Sequence, residues 1–211
     1  VTTPQVLEKA ASSRRALLWE FDERPPGMAS PRTFTQPVVA KLRTDTWAAI
    51  FGVDAALYVL DIASGDVIRT FDIPEEAGDS VSLMPNVIAA PAAVNVWPGD
   101  AIEYVYAGDR QGRLWKFDLT APSAEQWHIA LDAQPLFQAR DSTGRPQPIV
   151  TRPEVIRGSQ GTEVIVSFGA GSQAWPSASG ATFYGVVDRG RTVLARSAMQ
   201  RLQMVNQAPP G

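Results

Sequence analysis

The chain has 211 residues, a formal net charge of -3 at neutral pH, 45% hydrophobic and 19% charged residues. That balance belongs to a globular chain long enough to bury a sizeable core, and it lacks the basic footprint that a nucleic-acid partner requires. No apolar run approaches the ~18 residues of a membrane helix, and the absence of cysteine excludes disulfides, zinc-thiolate sites and thiol nucleophiles while leaving the compartment open.

Val1 is neither an initiator methionine nor the start of a signal peptide, so targeting information can lie upstream. Thr3-Pro4 followed by Val6, Leu7, Ala10 and Ala11 predicts a proline-started short helix ending near Ser12-Ser13, which makes residues 1–15 a helix and lead-in. A strand is expected over residues 16–21 (ALLWEF), then a Pro/Gly-rich loop over residues 22–32. From there one order of features comes three times. Each round opens on an apolar strand beside a proline (Pro37, Pro91, Pro153), continues with a strand ending at a glycine (Gly52, Gly108, Gly169), and closes on an aromatic-bearing strand ending at an aspartate (Asp61, Asp118, Asp188). The spacings are 54, 56 and 57 residues between the first two rounds and 62, 61 and 70 between the next two, the largest excess matching a small-residue insertion at residues 170–182.

The middle round holds the most informative stretch, residues 105–119, VYAGDRQGRLWKFDL. Two strand patterns flank Arg110-Gln111-Gly112, a hairpin link in which Gly112 supplies a positive φ after Gly108-Asp109. Strand alternation puts Trp115 and Phe117 on one face, expected to be buried, with Asp118 ending the strand. A recurrence of about 50–60 residues that holds three or four strands is a propeller-blade signature, with a meandering sandwich as the alternative. Three rounds and the opening strand make about three and a half blades, where closed propellers have about four to eight. In the tail, Ser197 and Gln200 form a capping-box pattern for a helical turn over Ala198–Leu202, and residues 206–211 read as a frayed end.

Catalytic chemistry finds little to work with. His128 is the single histidine, too few for a conventional catalytic zinc site, and no G-x-S-x-G elbow supports a nucleophilic serine. Gly169-Ala170-Gly171 lacks the rest of a phosphate loop. Glu75-Glu76 lies in a polar loop, where solvation is the default. Of the six tryptophans, Trp19, Trp47 and Trp115 fall in strand patterns and are expected in the core, whereas Trp97 and Trp175 lie in loops and are expected partly exposed. One loop has calcium-like chemistry: Asn95, Asp100 and Glu103 offer oxygens between strands at Val94 and Tyr104, although Trp97 and Gly99 offer none where a calcium loop alternates its ligands.

The run EYVYAGDRQGRLWKFDL, with AALYVLDIASGDVIRTF before it and LFQARDSTGRPQPIVTRPEV and TFYGVVDRG after it, resembles the C-terminal β-propeller domain of type IV pilus tip-associated proteins, the PilC/PilY-type biogenesis and adhesin family. The resemblance runs from about residue 16 to residue 205, with the YAGD-x-x-G-x-LW-x-FD string its most specific part. It implies an all-β fold with short peripheral helices, in which residues 16–205 form about 3–4 blades of a larger, modified seven-bladed β-propeller. Upstream blades of the same protein are then partners of this chain. The family further implies export to the periplasm, outer membrane or pilus tip, and a role in pilus assembly, in opposing retraction, and in adhesion or twitching motility. Minor pilins or other tip components, and a surface or host receptor, are the implied partners. Many members carry a calcium loop, D-x-D-x-D-x-x-x-D, before the Y-x-Y-A-G-D strand. In register, Asn95 takes its first position and Glu103 its last, Trp97 and Gly99 replace two central ligands, and Asp100 is one residue out of step. Calcium is the one cofactor the family suggests, and this degenerate loop is expected to bind it weakly or to have lost it. Two other readings are a periplasmic scaffold propeller of the outer-membrane assembly type and a quinoprotein dehydrogenase-like propeller. The second is disfavoured by the absence of cysteine and by Val67 to Phe71 standing where its repeat carries a tryptophan.

Overall fold

The computed structural model describes residues 17–22, 34–74, 85–96, 99–158, 163–171 and 181–190. They form three antiparallel sheets in chain order, each a simple meander, and together three blades of a β-propeller. The first blade is β1 (Val38–Lys41), β2 (Trp47–Val53), β3 (Ala56–Asp61) and β4 (Val67–Asp72). The second is β5 (Ala92–Val94), β6 (Tyr104–Gly108) and β7 (Arg113–Asp118), with an outer edge made of two short strands, β8 (His128–Ile129) and β9 (Phe137–Gln138), both paired to β7. The third is β10 (Glu154–Arg157), β11 (Val164–Ala170) and β12 (Thr182–Asp188). Each innermost strand begins just after its proline, an edge position where the missing N–H costs no ladder bond. Among the described residues no helix is long and apolar enough to cross a membrane.

The recurring residues have recurring jobs. Asp61, Asp118 and Asp188 each turn the chain out of the third strand, their Oδ1 accepting the backbone N–H two residues on, from Ala63 (2.6 Å), Thr120 (2.8 Å) and Gly190 (2.7 Å). This is the local aspartate turn that lets a polar side chain replace a ladder bond. Two of the three glycines, Gly52 and Gly108, mark a close approach. A Cβ on Gly52 would lie 2.3 Å from Ile88 Cγ2, and one on Gly108 would lie 2.1 Å from Ile149 Cγ2. In both cases the isoleucine belongs to the segment entering the next blade, and its N–H is bound by the blade it crosses, Ile88 to the Asp54 carbonyl (2.7 Å) and Ile149 to that of Asp109 (2.9 Å). Gly108→Ala is therefore expected to destabilise by about 1–3 kcal/mol through overpacking. A urea midpoint equal to that of the unmodified chain would contradict this close packing.

Blades pack through fixed positions. Residues two and four before the glycine of one blade (Ile50 and Ala48 in β2) meet residues one and three before the glycine of the next (Ala107 and Val105 in β6), and Trp115 and Phe117 join the same core. Phe71 and Phe117 meet there with ring centres 5.2 Å apart. The arrangement repeats between the second and third blades, where Tyr106 meets Phe168 and Val166. In consequence the second blade, which lies between the other two, is buried on both faces.

Several expectations meet a different outcome. Residues 17–22 join no ladder; instead Trp19 and Phe21 lie on the first blade's other face, against Phe51, Tyr58 and Leu60, and the Trp19 indole donates to the Ile62 carbonyl (3.0 Å). The apolar side chains of this segment cover a sheet face, which the alternation could not distinguish from joining one. The outer strands β4, β8 and β9 extend the rounds beyond their three markers. The helices expected at residues 1–15 and Ala198–Leu202, the tail at residues 206–211, the centre of the 170–182 insertion, Trp97 and Trp175 lie outside the described residues.

Candidate functional site

The hairpin between β6 and β7 is built around Asp109, which is fully buried. Its Oδ2 accepts from Arg113 Nε (2.7 Å), from Trp115 Nε1 (2.9 Å) and from Asn86 Nδ2 (3.1 Å), while Oδ1 accepts the Arg113 backbone N–H (2.9 Å). Arg113 reaches on to the Pro74 carbonyl (3.0 Å), and its guanidinium lies 4.8 Å from the Trp115 ring centre. Gly112 closes the turn at φ 80°, and a Cβ there would come 2.5 Å from the Gln147 carbonyl oxygen. Thus Gly108, Asp109, Gly112, Arg113 and Trp115 of the YAGDRQGRLW string form one hub that ties a hairpin to the connections on either side of it.

A second buried group joins the second and third blades. Lys116 Nζ is 2.7 Å from Asp188 Oδ2, with the two side chains 6% and 1% exposed. The same oxygen accepts the Tyr106 hydroxyl (2.6 Å), and the ammonium stands 3.9 Å from the Tyr104 ring centre. Burial, then the neighbouring Asp188 charge, pushes the Tyr106 phenol far above its ordinary range, so it stays protonated and keeps the proton it donates to Asp188. Burial likewise raises the Tyr104 phenol, with Asp118 adding to it. Alternation alone assigns Lys116 to a polar face, and the signal that could have found it is a charged residue inside a strand that is apolar on both sides. His128, by contrast, is exposed in β8 and donates from Nδ1 to the Gln126 carbonyl (3.1 Å).

The third feature is the connection from β5 to β6. Asn95 donates from Nδ2 to the Gly99 carbonyl (2.7 Å). Asp100 is exposed and bound to Lys41 of β1 (3.0 Å), which also holds Asp45 (2.8 Å). These hydrogen bonds lower the Asp100 carboxyl below the usual range and raise the Lys41 ammonium above it. Glu103 is buried, with Oε2 accepting the Val96 N–H and Oε1 3.7 Å from Arg43 Nη1. Beside this connection lies an open cavity of about 590 Å³ between β5 and β10, lined by Ala93, Val155, Ile156 and Arg157 among others.

Comparison with known proteins decides the family. The model of the PilY1 β-propeller domain matches residues 29–207. The chain belongs to the PilY1 β-propeller family. It is 29% identical over 220 residues to the type IV pilus biogenesis factor PilY1 of Pseudomonas aeruginosa, covering 90% of this chain and 18% of that protein. To a PilY1 homolog of Xylella fastidiosa it is 28% identical over 226 residues, covering 97% of this chain and 15% of the homolog. The crystal structure of the P. aeruginosa PilY1 C-terminal domain superposes with a TM-score of 0.64 at 28% identity, over 80% of this chain and 40% of that one. The chain therefore spans less than a fifth of the curated relatives it matches.

Among the described residues of this connection, the donors do not fit the calcium that the family suggests. A calcium ion takes six to eight oxygens, whereas Gly99 brings no side chain, Asn95 spends its amide inside the loop, and Asp100 and Glu103 already face cationic side chains. Among the described residues no three acidic or histidine side chains gather where they could hold a metal ion together.

Proposed function

We propose that this chain is a non-enzymatic module of type IV pilus biogenesis, exported to the cell surface and acting at the pilus tip through contact with minor pilins or other tip components. The observation that carries this reading is the PilY1 propeller match over residues 29–207 together with relatives named as pilus biogenesis factors. The side chains with chemical potential support it. Asp109, Arg113, Lys116, Tyr106 and Asp188 are buried and bound to one another or to backbone inside the blades.

We infer one further partner, another propeller blade, and the exposed face of the third blade supports it. The residue paired across the ladder with the blade glycine is Leu57 in the first blade and Leu114 in the second, each 0% exposed; in the third it is Phe183, 77% exposed. Ile156, on the same face, is 60% exposed. An additional blade seated there would bury both, as the second blade buries Leu57.

Deleting the gene and counting surface pili, with and without a block on retraction, tests the pilus reading. The expected result is fewer pili and weaker twitching in retracting cells, with pili recovered when retraction is blocked. Normal piliation, adhesion and twitching in both backgrounds would reject it.

A further inference from the structure

The described residues of the connection from Asn95 to Glu103, 95–96 and 99–103, are gripped from both sides. From the first blade, Lys41 holds Asp100 (3.0 Å), Arg43 faces Glu103 (3.7 Å), and the Lys41 carbonyl accepts the Ile102 N–H (2.8 Å). From the third blade, Arg157 of β10 donates to the Val96 carbonyl (3.1 Å). Inside the loop, the buried Glu103 carboxylate accepts the Val96 N–H, and the Glu103 N–H bonds the Val94 carbonyl (3.0 Å). The two carboxylates of this connection are thus each met by a positive side chain, and a third positive side chain sits on a loop carbonyl. A divalent ion entering here would meet three like charges at close range and would have to displace Lys41 and Arg43 from the two carboxylates the connection offers.

We infer that this connection is a calcium-independent clasp between blades, in which Lys41, Arg43 and Arg157 from the two neighbouring blades take the structural role that a bound ion has in a calcium loop. The inference rests on the propeller geometry and stands apart from the pilus reading. An ion-dependent loop would leave its carboxylates to repel one another when the ion departs. Here the compensating charges are covalently part of the chain, so the bonds at Val96, Asp100, Ile102 and Glu103 do not follow the calcium concentration.

Amide hydrogen exchange at Val96, Ile102 and Glu103 reads the clasp directly, because each of these N–H groups closes one of its bonds. The unmodified chain is compared in chelator and in calcium at about 10 mM, above the weakest dissociation constants of extracellular calcium modules. Its three amides are expected to exchange at the same rates in both. Lys41→Met, Arg43→Met and Arg157→Met, which keep the apolar stems, are expected to speed exchange at one or more of these amides by about threefold, the scale of a partly exposed ion pair. Calcium slowing exchange tenfold in the unmodified chain would overturn the inference, and that arm needs no variant to fold. Exchange unchanged in all three variants would overturn it equally.

Discussion

Asp109→Ala is expected to cost about 3–5 kcal/mol of folding stability, the range for removing one partner of a buried ion pair. The carboxylate is fully buried and receives three side-chain donors and one backbone N–H. Without it the Arg113 guanidinium, 2% exposed, keeps its charge and retains the Pro74 carbonyl, while among the described residues its Nη2 already has no acceptor. Leaving that cation buried and uncompensated costs more than losing the bonds to Asn86 and Trp115. Asp109→Asn keeps the shape but removes the charge and turns a donor toward Arg113, so it too is expected to destabilise. Urea unfolding checks both, and a loss below about 1 kcal/mol for Asp109→Ala would mean that Arg113 finds a counter-charge elsewhere.

The second large effect is a reversal of sign. Lys116→Met alone leaves Asp188 buried without its cation and is expected to cost about 3–5 kcal/mol. Asp188→Leu alone strands the Lys116 ammonium and also takes the acceptor from Tyr106, so its cost is at least as large. Once Asp188 is leucine, Lys116→Met is expected to be neutral or stabilising, because it now removes a stranded charge. Thermal or urea unfolding of the four chains completes the cycle. Additive losses would show that the 2.7 Å contact does not couple the second and third blades.

The architecture was legible in the sequence because its markers are local. A glycine is needed where Ile88 or Ile149 crosses a strand of the first or second blade, whereas Gly169 of the third has nothing within 4 Å, and an aspartate turns the chain out of the third strand in every round. The outer strands were not legible. β8 and β9 are two residues each, and the turn between them puts Leu131, Asp132 and Ala133 at positive φ with no glycine to announce it. The role of the segment containing Trp19 and Phe21 was hidden for another reason: an alternating apolar pattern suits a covering segment as well as a ladder strand. Lys116 and Arg113 escaped notice because alternation assigns one face of a strand to water, and a blade between two others has no such face. The contacts that occupy Asp100 and Glu103 come from Lys41 and Arg43, some sixty residues earlier in the chain, where no local pattern can reveal them.

If propeller integrity is what this chain contributes to pilus biogenesis, surface piliation should follow the stability of the hub. The decisive measurement is the number of surface pili on retraction-competent cells whose only gene copy carries Asp109→Ala, beside cells carrying the exposed change His128→Ala. The expected result is a fall toward the deletion strain for Asp109→Ala and wild-type numbers for His128→Ala. Wild-type piliation with an Asp109→Ala chain shown to be unfolded at the growth temperature would contradict the account.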